Sequence, residues 1–154
     1  MIGIISKKVS FDSAHFLTGH PGKCKRLHGG RYDLWVRVKG EINRETGMLM
    51  DYTELKKILQ EEVVEKFDHH CINYQAPELA WRSTTEIICM YIWSILIKKI
   101  RNLYELELFE TPDSSTVYRD EMIHVPDWGD IPASNYVNEL EYYRSKKDEA
   151  KFEE

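Results

Sequence analysis

The sequence predicts a single α+β domain in which helices cover one face of an antiparallel sheet. Four segments show a strand-like alternation of apolar and polar residues, and two segments with helical spacing lie between the second and the third of them. Strands that occur in runs, rather than in strict alternation with helices, are typical of this class. With 154 residues, of which 42% are hydrophobic, the chain has the length and composition of one folded domain.

The first two segments predict a pair of antiparallel strands. Residues 2–16 contain several β-branched residues in alternation, and residues 31–42 alternate almost strictly between apolar and polar side chains. Residues 17–30 between them contain four glycines and one proline, which predicts a loop.

Two helices are predicted after this strand pair. Thr53 is expected to cap the first helix, and Ser83 with Glu86 forms a capping-box pattern at the start of the second. Residues 68–79 between the helices are expected to be irregular. The apolar positions with helical spacing are Leu55, Ile58, Leu59, Val63 and Phe67 in the first helix, and Ile87, Ile88, Tyr91, Ile92, Ile95 and Leu96 in the second.

Two more strands are predicted at residues 103–109 and 116–123, with a turn at Pro112 between them. The predicted order is therefore two strands, two helices and two strands. Toward its end the chain becomes strongly charged, which is typical of a solvated extension. We expect a domain at residues 1–125 and a C-terminal extension at residues 126–154.

Charge and hydropathy disfavour several classes of function. The chain has 21 basic and 26 acidic residues and a net charge of −5, which disfavours binding to the phosphate backbone of nucleic acids. Its apolar runs are shorter than the roughly 18–20 residues of a membrane-spanning helix, and its first residues lack the order of a secretory signal. We expect no nucleic acid or membrane partner and a cytoplasmic location. The three cysteines are widely spaced, which fits neither a disulfide framework nor a zinc finger.

Three reactive side chains are expected near one end of the first strand pair. His15 closes the first strand, and Cys24 and His28 lie in the loop that leads to the second. Histidine is both a common metal ligand and a common acid–base residue near neutral pH. Each of these residues also has a plain structural interpretation, as a partly exposed histidine at a strand end or as a buried thiol.

Further candidate residues follow later in the chain. Asp68 precedes His69, and a carboxylate beside an imidazole fixes its tautomer and raises its basicity. Glu110 ends an otherwise apolar strand, so its carboxylate is either solvated or directed at a ligand with a guanidine-like edge. Thr84 and Thr85 open the second helix, where free backbone N–H groups meet polar ligand atoms or the threonines simply cap the helix.

Six short motifs, taken in order, resemble one protein family. They are F-D-S-A-H at residues 11–15, C-K-R-L-H-G at 24–29, T-G-M-L-M-D-Y at 46–52, F-D-H-H-C-I-N at 67–73, S-T-T-E at 83–86 and E-T-P at 110–112. Together they resemble the 6-pyruvoyl-tetrahydropterin synthase and 6-carboxy-tetrahydropterin synthase family over residues 9–119.

The resemblance implies a fold and an activity. The fold is the tunnelling fold, a four-stranded antiparallel sheet with two helices on one face, and it assembles as a homo-oligomer, a trimer or a dimer of trimers. The activity is that of a zinc-dependent lyase that eliminates triphosphate from 7,8-dihydroneopterin triphosphate. The three residues between Cys24 and His28 resemble the 6-carboxy branch, which supplies deazapurine synthesis such as that of queuosine; the 6-pyruvoyl reaction is the alternative.

The resemblance also implies a role for each matched residue. These roles are zinc binding for His15 and His28, catalysis for Cys24, Asp68 and His69, and contact with the pterin ring for Glu110, Thr84 and Thr85.

One motif departs from the family pattern. Where the family has H-G-H, this chain has His28, Gly29 and Gly30, so the third zinc ligand is absent. The zinc site is then either weakened or rebuilt, with His20 as the nearest substitute ligand, or the protein is metal-free. The corresponding alternative function is that of a catalytically degenerate protein that still binds a pterin.

Basic residues surround Cys24 in the sequence. Such a cluster would bind a triphosphate and lower the pKa of the thiol, or it is a solvated loop face. Its members are Lys23, Lys25, Arg26 and Arg31.

Overall fold

The computed structural model of the chain describes residues 1–17, 20–79 and 82–119. Its strands are β1 (Ile2–His15), β2 (His28–Glu41), β3 (His70–Cys71), β4 (Leu103–Thr111) and β5 (Ser114–Arg119). Its α-helices are α1 (Tyr52–Leu59), α2 (Glu65–Phe67), α3 (Ile72–Gln75) and α4 (Thr85–Leu96). The strands form one sheet in the order β3-β1-β2-β4-β5. The predicted α+β class is confirmed.

Strands β1 and β2 form the long antiparallel pair that the alternation predicts. Their register places His15 directly opposite His28. β2 begins at His28, three residues earlier than predicted, because Gly29 and Gly30 continue the strand. Glycine retains the backbone N–H and C=O groups that pair in a sheet, so a glycine pair need not end a strand.

Strands β4 and β5 form the second predicted antiparallel pair, with Pro112 in the turn between them. β4 also pairs with β2, which joins the two strand pairs into one sheet. β5 begins at Ser114, two residues earlier than predicted. Residues 120–123 of the predicted strand and residues 126–154 of the predicted extension lie outside the described residues.

Among the described residues the sheet has five strands rather than the expected four, because β3 forms in a segment predicted to be irregular. It runs parallel to β1, so the sheet is mixed rather than purely antiparallel. The Ser13 hydroxyl donates to the carbonyl of His70 at 2.7 Å. The N–H of His69 donates to the carbonyl of Asp12, also at 2.7 Å. A strand of two residues is too short to show alternation in a sequence.

Both main helices are capped by residues other than those predicted. The Asp51 carboxylate accepts the N–H of Thr53 at 2.7 Å, so Asp51 caps α1. The Thr84 hydroxyl accepts the N–H of Ile87 at 3.4 Å, so Thr84 caps α4. Ser83 is fully buried and contacts His15.

The apolar stripes of the helices pack on one face of the sheet and form the core. α1 continues through a π-helical turn, Gln60–Val64, into α2, so the first helical run ends at Phe67 as predicted. Both helical runs and the inner faces of β2 and β4 contribute to one buried cluster. It includes Leu34, Val36, Leu55, Leu59, Phe67, Ile88, Ile92, Leu106 and Leu108.

The opposite face of the sheet is polar. Arg37 pairs with Glu105 and lies 3.2 Å from Glu107, and Arg119 lies 2.7 Å from Glu105. Glu105 is only 7% exposed, so two guanidinium groups balance a nearly buried charge. Among the described residues, no helix combines the length and hydropathy required to cross a membrane.

Phe67, at the end of the first helical run, packs against Phe11 of β1. Its ring is fully buried, and its centroid lies 5.7 Å from that of Phe11 and 6.3 Å from that of Tyr91. We expect Phe67→Ala to lower the free energy of unfolding by about 3–5 kcal/mol, the usual cost of removing such a ring. Tyr52→Ala, on the exposed side of the same run, should change it by less than about 0.5 kcal/mol. Urea denaturation followed by circular dichroism measures both, and equal losses would contradict this packing.

Candidate active site

His15 and His28 lie side by side where the β1–β2 pair ends. They are opposite each other in the ladder, and their ring centroids are 4.4 Å apart. His15 is buried, and Tyr32 packs edge-on against its ring at a centroid distance of 6.1 Å. His28 is partly exposed. The structure therefore brings together the two residues that the resemblance implies as zinc ligands.

Hydrogen bonds determine which nitrogen of each ring is free. Nδ1 of His15 lies 2.8 Å from the carbonyl oxygen of Ser83, and Nδ1 of His28 lies 2.7 Å from that of Arg26. Because a carbonyl oxygen only accepts hydrogen bonds, Nδ1 carries a proton in both rings. In the neutral rings, Nε2 has the free lone pair, as in metal-binding histidines whose other nitrogen donates to a carbonyl.

A buried hydrogen-bond network holds His15, and sequence reasoning missed its members. The Asn73 amide donates to the carbonyl of Phe16 at 3.0 Å and accepts the N–H of the same residue at 3.1 Å. The Ser83 hydroxyl lies 3.2 Å from Asn73 Oδ1 and 3.1 Å from the Phe16 carbonyl. Asn73 and Ser83 are fully buried. Asn73 ends the motif F-D-H-H-C-I-N and Ser83 begins the motif S-T-T-E, so their positions in these motifs are the sequence signal that could have identified them.

Glu110 faces the same two histidines from β4. Its Oε1 lies 3.5 Å from Nε2 of His15, and one ligand atom from each of the three side chains lies within 4.8 Å of the others. The register between β4 and β5 shifts between Phe109 and Thr111, so Glu110 lies at a bulge, which redirects a side chain. When His15 is protonated on both nitrogens, Nε2 donates to Glu110. This contact, and to a lesser degree one with Thr85, lowers the pKa of Glu110 against the opposing effect of burial.

Gly30 leaves open space beside this cluster. It lies two residues after His28 on the same strand, so both positions point to one face of the sheet. A Cβ atom at Gly30 would meet no atom within 4 Å. His20, the substitute ligand that the sequence suggests, accepts the N–H of Gly22 at 2.9 Å. In the described parts of the chain, Glu110 and not His20 completes a group of three potential ligands.

Cys24 lies in a short 3₁₀ turn, Lys23–Lys25, in the loop before β2. The N–H of Leu17 donates to its carbonyl at 2.7 Å, which holds this loop against the end of β1. The Cys24 side chain is partly exposed. Burial raises the pKa of Cys71 to about 11 and that of Cys89 to about 12, so those two thiols stay protonated at neutral pH.

Asp68 and His69 form a second polar cluster, next to Asp12 of β1. Asp68 Oδ1 accepts the N–H of Asp12 at 2.8 Å, and Asp68 Oδ2 lies 2.9 Å from Nδ1 of His69. His69 has a φ of 58°, in the left-handed region that residues other than glycine rarely adopt. The backbone bond from His69 to Asp12 holds this strained conformation, and such strain is concentrated at functional sites.

The surroundings of Asp68 keep its carboxylate ionised. The N–H of Asp12 is the largest cause that lowers its pKa below the usual 3.8, and His69 and Arg31 lower it further. The carboxylate accepts the Nδ1 proton of His69, which leaves Nε2 of this ring outside the pair.

The two clusters are separated along β1. Asp12 lies three residues before His15, which corresponds to about 10 Å along a strand, and its side chain points to the opposite face of the sheet. Within the described segments, no hydrogen bond or ion pair joins the group around His15 to the group around Asp68. The predicted site residues of one chain therefore form two groups.

Arg31 belongs with the second group and not with the basic loop around Cys24, which corrects the cluster predicted from the sequence. Its Nε lies 3.1 Å from Oδ1 of Asp12, and its Nη2 lies 3.3 Å from Oδ2. Arg31 lies apart from the loop because Arg31 and His28 are three residues apart on β2, so their side chains point to opposite faces of the sheet. The other three basic residues of the predicted cluster are exposed in the loop.

Comparison with known proteins identifies the family. A family model described as 6-pyruvoyl tetrahydropterin synthase matches residues 4–121. The chain belongs to this family. The matched residues include both groups of candidate site residues, and the family recognised from the motifs is confirmed.

Relatives of the 6-pyruvoyl tetrahydropterin synthase family include both branches. The chain is 36% identical to the 6-pyruvoyl tetrahydrobiopterin synthase of Dictyostelium discoideum over 130 residues, which cover 77% of this chain and 96% of the relative. It is 31% identical to the 6-carboxy-5,6,7,8-tetrahydropterin synthase of Haemophilus influenzae over 138 residues, which cover 75% and 98%. The solved structure of Caenorhabditis elegans 6-pyruvoyl tetrahydropterin synthase has a TM-score of 0.71 and 26% identity, and covers 77% of this chain and 96% of that one.

The ionisation of Asp68 is open to a direct test in this family member. Folding lowers the pKa of Asp68 below its usual value of 3.8. The ionised carboxylate therefore stabilises the fold fully at pH values above 3.8, and this contribution is lost as the pH falls through the pKa of the folded state. Carbon-13 NMR of the side-chain carboxyl should show a pKa below 3.8. His69→Ala should raise it, and titration at or above 3.8 in the parent would contradict the assigned contacts.

Proposed function

We propose that the protein is a lyase that converts 7,8-dihydroneopterin triphosphate to 6-carboxy-tetrahydropterin with the help of zinc. The observation that supports this most is the convergence of His15, His28 and Glu110 in a member of the 6-pyruvoyl tetrahydropterin synthase family. The short spacing between Cys24 and His28 favours the 6-carboxy reaction, in which the side chain is cleaved and acetaldehyde leaves together with triphosphate.

The residues present fit a zinc ion. His15 and His28 each direct a protonated Nδ1 at a carbonyl, which leaves Nε2 as a ligand atom, and imidazole nitrogens with a carboxylate form a common catalytic zinc set. We assign both histidines as ligands. Bound there, zinc would polarise the oxygen atoms of the substrate side chain and make the neighbouring C–H groups more acidic.

We assign Cys24 as the base that takes a proton from the substrate side chain. Its loop is fixed to the end of β1 through Leu17, two residues after His15 in the chain. Cys71 and Cys89 are unsuitable, because burial keeps their thiols protonated. The exposed lysines and arginine around Cys24 would bind the triphosphate group.

We assign Asp68 and His69 as the partner acid–base pair and propose that the protein is a homo-oligomer, a trimer or a dimer of trimers. In one chain this pair is held at Asp12, three residues from His15 along β1, and we propose that a second copy brings such a pair to the ligands. β1 offers an edge for this contact, because β3 pairs only with Ser13 and Ala14 and leaves the rest of that edge unpaired among the described residues.

The pterin ring is assigned to Glu110 and the start of α4. A carboxylate accepts two N–H bonds from the amino-pyrimidinone edge of a pterin. Thr85 contributes to the lowered pKa of Glu110, and its hydroxyl would help to orient the carboxylate. The hydroxyl of Thr84 caps α4, so this residue would contact the ring through its other atoms.

Two alternatives have specific support. The 6-pyruvoyl reaction uses the same substrate but retains its carbon side chain, and the name of the Dictyostelium relative supports it. A pterin-binding protein without turnover is supported by Gly30, which provides no third imidazole.

Turnover of 7,8-dihydroneopterin triphosphate by the purified full chain, with zinc added, separates these functions. We expect release of both triphosphate and acetaldehyde. Triphosphate without acetaldehyde would establish the 6-pyruvoyl reaction instead. Pterin binding with neither product would establish the degenerate protein.

Replacement of the proposed base gives a second test. We expect Cys24→Ala to lower kcat by about 10²–10⁴-fold, the usual range for the loss of a positioned acid–base group. Cys71→Ala is the matched control and should retain most of the activity, because burial keeps that thiol protonated. Equal kcat values for the parent and Cys24→Ala would remove Cys24 from the mechanism.

A further inference from the structure

We propose that Glu110 is the third protein ligand of the metal and takes the place of the imidazole that is absent at position 30. This inference rests on the proposed function only in that zinc binds at His15 and His28. It adds a second task to Glu110, which the family resemblance implies as a pterin contact alone.

The spacing of the donor atoms fits this role. Zinc bonds of about 2.0–2.2 Å in tetrahedral geometry place neighbouring donor atoms about 3.3–3.6 Å apart. Oε1 of Glu110 lies 3.5 Å from Nε2 of His15. Ligand atoms of all three residues lie within 4.8 Å of one another, so a small displacement of side chains brings them around one ion.

The local backbone explains why the carboxylate reaches the histidines. Glu110 lies at the bulge of β4, next to Phe109, and Phe109 pairs with Asp33 of β2. Continued by one residue, this register places Glu110 beside Tyr32, which points to the same face of β2 as Gly30 and His28. A Cβ atom at Gly30 would meet no atom within 4 Å, so β2 leaves open space on that face.

The ligand chemistry is also consistent. Two histidines and one glutamate are an established set for catalytic zinc, and three protein ligands leave a position open for the substrate. The second oxygen of Glu110 remains available to accept a hydrogen bond.

Zinc affinity of the purified full chain tests the proposal without any assay of turnover. We compare the parent with Glu110→Gln, Gly30→His and the double variant in competition with a chromogenic chelator, with zinc as the only added ligand. Glu61→Gln, an exposed carboxylate in the first helical run, is the matched control. Gly30→His adds a side chain where a Cβ meets no atom within 4 Å, so it should fold.

We expect Glu110→Gln to weaken zinc binding on the order of 100-fold. The minimum expected is about tenfold, because even the loss of a group that only hydrogen-bonds to a ligand lowers metal affinity by about 10–100-fold. Glu61→Gln should bind like the parent. Gly30→His should strengthen binding much more in the Glu110→Gln background than in the parent, because it then replaces a missing ligand.

Unchanged affinity in Glu110→Gln, or an equal gain from Gly30→His in both backgrounds, would overturn the proposal. Anomalous X-ray diffraction from zinc-soaked crystals of the parent needs no variant. We expect the ion within about 2.0–2.2 Å of all three residues, and an ion bound by both histidines with the carboxylate turned away would also overturn it. These readouts are independent of the proposed reaction, because a protein that fails to turn over the pterin triphosphate can still show them.

Discussion

The candidate site depends on the buried hydrogen bonds that join His15 to Ser83, Asn73 and Phe16. They connect the end of β1 to two segments that lie 57 and 68 residues further along the chain. Because these groups are buried, each polar atom left without its partner would cost about 1–3 kcal/mol. The same bonds fix Nδ1 of His15 on a carbonyl and leave Nε2 toward Glu110. The packing of these loops and the chemistry of the imidazole are therefore determined together.

Strand β1 supports both groups of candidate residues but on different faces. Its last residue, His15, points into the core side, where Glu110 approaches from β4. Three residues earlier, the backbone of Asp12 binds Asp68 and His69 at the outer edge. Because Asp12 and His15 are about 10 Å apart along the strand, β1 holds the two groups at separate positions. This separation supports the proposal that a second copy of the chain completes the reaction site.

The regular parts of the fold could be predicted from the sequence because they repeat. Alternation gave β1 and β2, and helical spacing placed Leu55 and Ile92 in the core. The two-residue strand β3 carries no such repeat, since it forms through contacts with Asp12 and Ser13, distant in sequence. The order of the motifs identified the candidate residues, but it did not predict that they form one group around His15 and another around Asp68. The approach of Glu110 to His15 depends on the register between β2 and β4, which no local pattern contains.

In the proposed zinc site, Gly30 provides no imidazole and Glu110 provides a carboxylate in its place, because Glu110 lies with His15 and His28 in one group of potential ligands. A carboxylate ligand lowers the net charge of a zinc centre, so the ion would polarise substrate oxygens less strongly than one held by three histidines. Proton removal would then depend more on the base itself.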